Sequence, residues 1–494
     1  MDAIYYRSPK KNTGKKVFFI LLAVVFLAAL SYGGFFMYKI YSVSKKISVD
    51  NATSQPSFLE TVKSLTTDNS IDLGSADPNR INILLLGMAG KGKPGQYLTD
   101  TIMIMSIDRK TNRVAMLSIP RDLYVTIPNT GYQNKINTVY QLGMNSAKNS
   151  GTNTIDPLLA VIKSITALDI DYWAVLNFDG FRKAIDDIGG INIVNEKDLY
   201  DARYPGPNYS YEIFELKKGF HHLDGATALK YARERHNDPQ SDFGRAKRQQ
   251  EIMQAVKNKI FSATTIFNPI ALNNLLDTLG NNASTNITPD EIGSFLELSK
   301  KLDTQNITNA VLDAWNKDSL LKIIHTGNPD AQFSALIPRV GNYSEVQDLA
   351  QNIFDLDKIK RTRDEIAKES ARIAIVNQSG DFSLSEKIRK LLNVNLAYKN
   401  VITINSSNKS PVDVSMVYDS TSGTKPFTAN ELVTKLPAVI SYSDYSLPSY
   451  SGSKFDIVVV LGKDLVAKYN MEEGTLEDLN KARDDQESAD FNKN

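Results

Sequence analysis

Ile81-Asn-Ile-Leu-Leu-Leu86, Thr101-Ile-Met-Ile-Met-Ser-Ile107 and Val114-Ala-Met-Leu-Ser-Ile119 are the stretches whose reading decides the fold. Each is a nearly unbroken apolar run of strand length, the pattern of a strand buried on both faces. Between the second and third, Asp108-Arg-Lys-Thr-Asn112 supplies turn-forming residues, so these two runs predict a hairpin. Downstream, Pro157 to Leu168 has helical spacing, with Asp156 as its N-cap and Pro157 in the first turn. Trp173 to Phe178 reads as another strand. Gly180 to Ile188 reads as a short helix that Gly189-Gly190 closes. Strands alternating with helices predict the α/β class, a sheet layered by helices.

Working outward, this first unit is expected to span 81–358, largely helical after about residue 250. Residues 359–370 are highly charged and read as a helical linker. A smaller α/β unit follows at 371–466. It opens on the strand Ala371-Arg-Ile-Ala-Ile-Val-Asn377, continues with a helix from Ser383 to Leu392, and has further strands at Val414 to Val417 and Phe455 to Leu461. The polar, acidic stretch 467–494 reads as an unstructured tail. At 494 residues the chain is long enough for such units to hold separate cores.

Upstream, Val17 to Tyr38 carries no charge and is long enough to span a hydrocarbon core of about 30 Å. Arg7, Lys10, Lys11, Lys15 and Lys16 lie within the basic segment 1–16, which places the N-terminus in the cytoplasm and the bulk of the chain outside. The run exceeds a usual signal core, and Tyr32, Phe35, Phe36 and Met37 lack the small residues of a cleavage site, so it reads as an uncleaved single-pass anchor. Residues 39–80, rich in Ser, Thr, Asp and Asn, read as a stalk.

Hydrophobic residues make up 42% and charged residues 23% of the chain, as in ordinary globular proteins. The net charge of +1 supplies no global attraction to nucleic acid, so any anion site is local. The absence of cysteine excludes disulfides, thiolate metal sites and cysteine nucleophiles.

The charged residues concentrate in an ordered series: Asp100, then Arg121 and Asp122, then Arg233, Arg235, Asp242, Arg245, Arg248 and Gln249. If the hairpin forms, Asp100 and Arg121 meet at one end of the sheet. Arg233 and Arg235 share a face if their segment is extended. Asp242, Arg245, Arg248 and Gln249 step by three and four, a stripe on a helix. The bland alternative is a solvated, salt-bridged helix face. The concentration of guanidiniums, whose planar forks fit phosphate oxygens, points instead to a pyrophosphate, with the carboxylates available to a metal. Gly87-Met-Ala-Gly-Lys-Gly-Lys-Pro94 nearly fits a nucleotide phosphate loop. However, Pro94 replaces the metal-binding hydroxyl and a strand follows where a helix is needed, so it reads as a loop over the cleft. His221 and His222 lack metal-ligand spacing, and no Ser/His/Asp nucleophile set stands out.

In these residues the chain resembles the LytR-CpsA-Psr (LCP) family of cell-envelope glycopolymer transferases. The resemblance covers roughly Ile81 to Leu356 and rests on Asn82-Ile-Leu-Leu-Leu-Gly87, Thr99-Asp-Thr-Ile102, Ser118-Ile-Pro-Arg-Asp122, Lys135-Ile-Asn137, Gly219-Phe-His-His-Leu-Asp-Gly225, and Arg233-Glu-Arg235 through Asp242-Phe-Gly-Arg245 to Arg248-Gln249. The second unit, with Ile375-Val-Asn-Gln-Ser-Gly380 and Asp456-Ile-Val-Val-Val-Leu-Gly462, is similar to the LytR C-terminal-type domain often fused to this family. The resemblance implies an α/β/α layered domain with a mixed central sheet. It also implies transfer of a glycopolymer phosphate from an undecaprenyl-pyrophosphate carrier to a peptidoglycan sugar hydroxyl. By it, Arg121, Arg233, Arg235, Arg245, Arg248 and Gln249 bind the pyrophosphate, Asp100 holds Mg²⁺ (or Mn²⁺), Asp242 orients arginines or assists the metal, and Asp122 orients Arg121. It further implies an apolar tunnel for the polyprenyl tail. Where many members carry an aspartate after the first strand, this chain has Met88-Ala-Gly90, and Leu98 stands where many have an arginine. A lipid-pyrophosphate phosphatase using the same site, and a non-catalytic binding or regulatory protein for polyprenyl phosphates or envelope sugars, are the competing functions.

Overall fold

A computed structural model describes residues 34–47 and 73–478, apart from 94, 151–152, 206–210, 235–240, 261, 263–264, 266–267, 315–318, 329–330, 405–409, 448–453 and 476. Most of the apolar run Val17 to Tyr38 lies outside the described residues. Among those described, no helix is long and apolar enough to cross a membrane.

The three deciding runs form strands β1 (Arg80–Met88), β2 (Thr99–Asp108) and β3 (Arg113–Ile119). β2 and β3 are the expected antiparallel hairpin, with Ile102 opposite Ile119. Its turn forms because Asp108 Oδ1 accepts the backbone N–H of Lys110 and Thr111, and Asn112 takes a left-handed φ of 56° that asparagine tolerates. β1 lies antiparallel to β2 and parallel to Tyr172–Asn177, and Asp303–Val311 runs parallel to β3. Ala283–Thr285 closes the other side, giving a six-stranded mixed sheet.

One face of this sheet packs Leu84, Leu86, Ile102, Ile104 and Leu117 against Leu158, Val161, Ile162 and Ile165 of the Asp156–Thr166 helix. The other packs Ile81, Ile83 and Ile107 against the Ile292–Lys301 helix, where Phe295 meets Tyr172 edge-on at 4.8 Å. Each large apolar side chain buried this way stabilises the fold by roughly 1.5–3 kcal/mol.

Several expectations need correction. Asp156 is the first residue of its helix and not the cap; Ile155 occupies that position and makes no side-chain cap bond. The region after 250 is not mainly helical. Asp303–Val311 joins the central sheet, and Leu321–Asn328 pairs with Ala331–Pro338. The sequence of the first of these, Asp303-Thr-Gln-Asn-Ile-Thr-Asn-Ala-Val311, is too polar to announce a strand; backbone pairing at the sheet edge decides it. Residues 34–47, divided in the sequence between apolar run and stalk, form one helix.

The linker is helical at Leu356–Glu369. Beyond it, a five-stranded sheet runs in the order Val401–Ile404, Ile373–Asn377, Ile457–Leu461, Met416–Asp419, Val439–Ser441 and carries its own core. The chain does not lose structure at 467. Tyr469 is buried and its hydroxyl donates to Val340 O at 2.8 Å, and Glu472 and Glu473 pair with His325 and Ile324. Residues 479–494 lie outside the described residues.

Burial pushes the phenols of Tyr172, Tyr343 and Tyr469 well above their ordinary value of 10.0. A phenol with a higher pKa in the folded state contributes stability that is fully present below its unfolded value and is lost as pH rises toward the folded one. The midpoint of urea unfolding should therefore be steady around neutrality and fall above about pH 10. A midpoint that holds well into alkaline solution would contradict the burial of these rings.

Candidate active site

β1, β3, Tyr172–Asn177 and Asp303–Val311 all run in one direction, so their C-terminal ends share one edge of the sheet. β2 begins at that edge. In open α/β sheets this is where ligand sites form. Asp100 is the second residue of β2, and Arg121 stands just past the end of β3. Arg121 Nη1 donates to Asp100 Oδ1 at 2.7 Å. The arginine side chain is 8% exposed and the aspartate 28%, so the pair is rooted in the domain with the carboxylate toward solvent.

Below it, Asp122 is fully buried. Lys135 Nζ donates to Asp122 Oδ1 at 2.9 Å, and Arg121 Nε lies 3.7 Å from Asp122 Oδ2. The backbone is fixed as well: Leu336 N donates to Asp122 O at 3.0 Å and Asn137 N to Arg121 O at 3.3 Å. Asp122 was expected to orient Arg121, and its burial between Arg121 and Lys135 fits that positioning role, since it cannot reach a ligand without leaving its cation. Lys135, half of that ion pair, carried no site role in the sequence reading. Its motif Lys135-Ile-Asn137 was visible, but nothing local signals that this lysine is buried.

Arg233 reaches the same edge by another route. Asp224 caps the Gly225–Arg233 helix by accepting Thr227 N at 2.7 Å. Gly225 is required there, because a Cβ would stand 1.9 Å from Arg182 O of the Phe178–Asp187 helix. The close approach sets the exposed Arg233 guanidinium 4.8 Å from the centre of the Phe178 ring, immediately after the strand end at Asn177. The extended segment expected for Arg233 and Arg235 is corrected: Arg233 ends a helix, and the chain turns extended only at Glu234. Arg235 lies outside the described residues.

The stripe at 242–249 does lie on a helix, Ser241–Ile260. Gln249 Nε2 donates to Thr101 Oγ1 and to Ala232 O, both at 3.3 Å, which joins this helix to the residue after Asp100 and the residue before Arg233. Arg245, half-buried, lies one turn earlier; Asp242 is in the first turn, its side chain outside the described set. Arg248 is the clearest departure. It is 4% exposed, and its guanidinium donates to Tyr231 O at 3.1 Å and to Glu234 O. It satisfies carbonyls at the end of the Gly225–Arg233 helix, which have no partners inside the helix. Arg248 therefore holds the turn that presents Arg233 and is not placed to grip a phosphate.

The Gly87–Pro94 stretch is no phosphate loop. Gly90 N donates to Gln96 O at 3.0 Å, and the chain leads into β2, not into a helix. Gly90 needs its φ of 95°, and a side chain there would collide with Asn177. Lys93 bonds Asp179 at 2.8 Å and holds that carboxyl below its ordinary range.

The fold and the charged residues at this edge define a class. Residues 34–323 match the LytR_cpsA_psr family, and the chain belongs to that family. The class is that of the LCP-type transferases. Among curated relatives, the Polyisoprenyl-teichoic acid--peptidoglycan teichoic acid transferase TagU of Bacillus cereus is 29% identical over 281 residues, covering 56% of this chain and 81% of the relative. TagU of Bacillus subtilis is 28% identical over 289 residues, covering 58% and 83%. Among solved structures, B. subtilis TagV is 25% identical with a TM-score of 0.42, covering 56% of this chain and 98% of that one.

Proposed function

We propose that this chain is a membrane-anchored, extracytoplasmic phosphotransferase. It would move a glycopolymer phosphate from an undecaprenyl-pyrophosphate carrier to a peptidoglycan sugar hydroxyl. The observation that carries the reading is the Arg121–Asp100 pair at the C-terminal edge of the sheet, with Arg233 and Gln249 brought to the same edge by separate helices. The curated relatives are named for the same kind of transfer, of teichoic acid.

In the reaction, the sugar hydroxyl oxygen bonds to the phosphorus nearer the glycopolymer. The P–O bond to the bridging oxygen breaks, polyprenyl phosphate departs with that oxygen, and the hydroxyl proton passes to water or to the departing phosphate. Charge grows on the bridging and equatorial oxygens. Arg121 and Arg233 supply fixed positive charge there, and positioning and electrostatics carry most of phosphoryl-transfer catalysis.

Among the described residues no group of three potential ligands could hold a metal ion. Mg²⁺ is commonly bound through one or two carboxylates plus substrate phosphates, and the half-buried Asp100 fits that role. Such an ion, Mg²⁺ or Mn²⁺, would neutralise diphosphate charge. The second unit is proposed as an accessory domain of the LytR C-terminal type.

The test is incubation of a labelled polyprenyl-pyrophosphate-linked glycan with the purified protein, with and without peptidoglycan and with and without Mg²⁺. Label on peptidoglycan supports the transfer. Free phosphorylated glycan irrespective of acceptor indicates the phosphatase, and donor binding without turnover indicates the regulatory protein.

A further inference from the structure

The 34–47 helix is not a free stalk. It lies on the Pro269–Asn282 helix, where Lys39 Nζ bonds Asp277 at 2.7 Å and Lys46 Nζ donates to Asn281 Oδ1 at 2.6 Å. The Val43 methyls sit where a side chain on Gly280 would touch them, at 3.3 and 3.5 Å. Position 39 meets 277, 43 meets 280 and 46 meets 281, so the two helices run in the same direction. Val43 and Ser44 are both buried, which makes this a packed contact and not a chance touch.

That parallel seating has a consequence for the other end of the helix. At 1.5 Å rise per residue, Ile270 lies about 15 Å before Gly280 along the axis. This brings it level with the first described turn of the 34–47 helix, which begins inside the uncharged run Val17 to Tyr38. Ile270 is 71% exposed, and Phe35 and Tyr38 are exposed on the neighbouring helix. Large apolar and aromatic side chains left in water over the first turns of both helices, beside the point where an apolar segment joins the domain, suit a bilayer interface.

We infer that the N-terminal end of the Pro269–Asn282 helix is a membrane-contact surface, with Ile270 entering the lipid interface beside the anchor. The domain would then sit on the bilayer in a fixed orientation and not swing on a loose tether. The inference rests on the reading of Val17 to Tyr38 as the anchor.

The chain has no cysteine, so single thiols can be placed at will. Ile270→Cys, Leu27→Cys and Phe382→Cys are each made in the full-length protein. Each is labelled with a small fluorophore and reconstituted in phosphatidylethanolamine–phosphatidylglycerol vesicles containing shallow spin-labelled lipid. Phe382, 95% exposed on the second unit, is the aqueous reference. The expected result is strong quenching at 270, near that of an interfacial probe, protection of 27 from aqueous iodide, and little quenching at 382. Quenching at 270 no greater than at 382, with 27 protected, overturns the contact surface and leaves the anchor standing. Iodide access at 27 overturns both.

Discussion

Arg121→Ala is expected to abolish transfer from a lipid-linked pyrophosphate donor. Arg121 is held on two sides by carboxylates, with Asp100 at 2.7 Å and Asp122 at 3.7 Å. Its guanidinium is therefore in place before any ligand arrives and does not need to reorganise. Removing a single preorganised donor commonly costs on the order of 100-fold in rate or more. Arg121→Lys should recover little, because a single ammonium cannot reproduce the planar fork. The variant also leaves Asp100 and Asp122 short of a cation, so a melting curve must accompany the assay. Wild-type turnover in a folded Arg121→Ala protein would remove the arginine from the mechanism.

The second large effect is on stability. Lys135→Met should destabilise the protein by about 3–5 kcal/mol, because it strands the Asp122 carboxylate in the interior. The combined Lys135→Met, Asp122→Leu protein should recover a good part of that loss, since an apolar pair of similar volume often replaces a buried ion pair at little net cost. Recovered stability should not bring recovered transfer, as Arg121 would lose the carboxylate beside its Nε. Urea unfolding with an unchanged slope measures the first effect. A Lys135→Met loss below about 1 kcal/mol would mean that the pair is effectively at the surface.

These two predictions differ in how much of their basis the sequence contained. The Asp100–Arg121 contact was legible, because two apolar runs joined by Asp108-Arg-Lys-Thr-Asn112 must turn back, and a hairpin puts the start of one strand beside the end of the next. The Asp122–Lys135 pair was not. Both residues were quoted in motifs, yet their meeting depends on a long-range fit of Leu123, Ile136 and Leu336 that no local pattern encodes. Arg233 was placed in the right group by the wrong geometry. A period-two argument assumed an extended chain, whereas Asp224 and Gly225 start a helix that runs through Arg233. Arg248 was misjudged for a related reason. Periodicity gives the side of a helix on which a residue lies, but not what stands opposite, and here carbonyl groups stand opposite.

The sequence by itself determined the strand hairpin, the alternation that makes an α/β sheet, the family and the residue types able to meet a diphosphate. Those follow from short-range rules of period, turn chemistry and charge. Only the tertiary structure decided which cations face the cleft and which are used up inside, and that the helix at 34–47 is docked and not free. Exposure and partnership are set by residues far apart in the chain, and in a low-dielectric interior a partner determines what a charge can do.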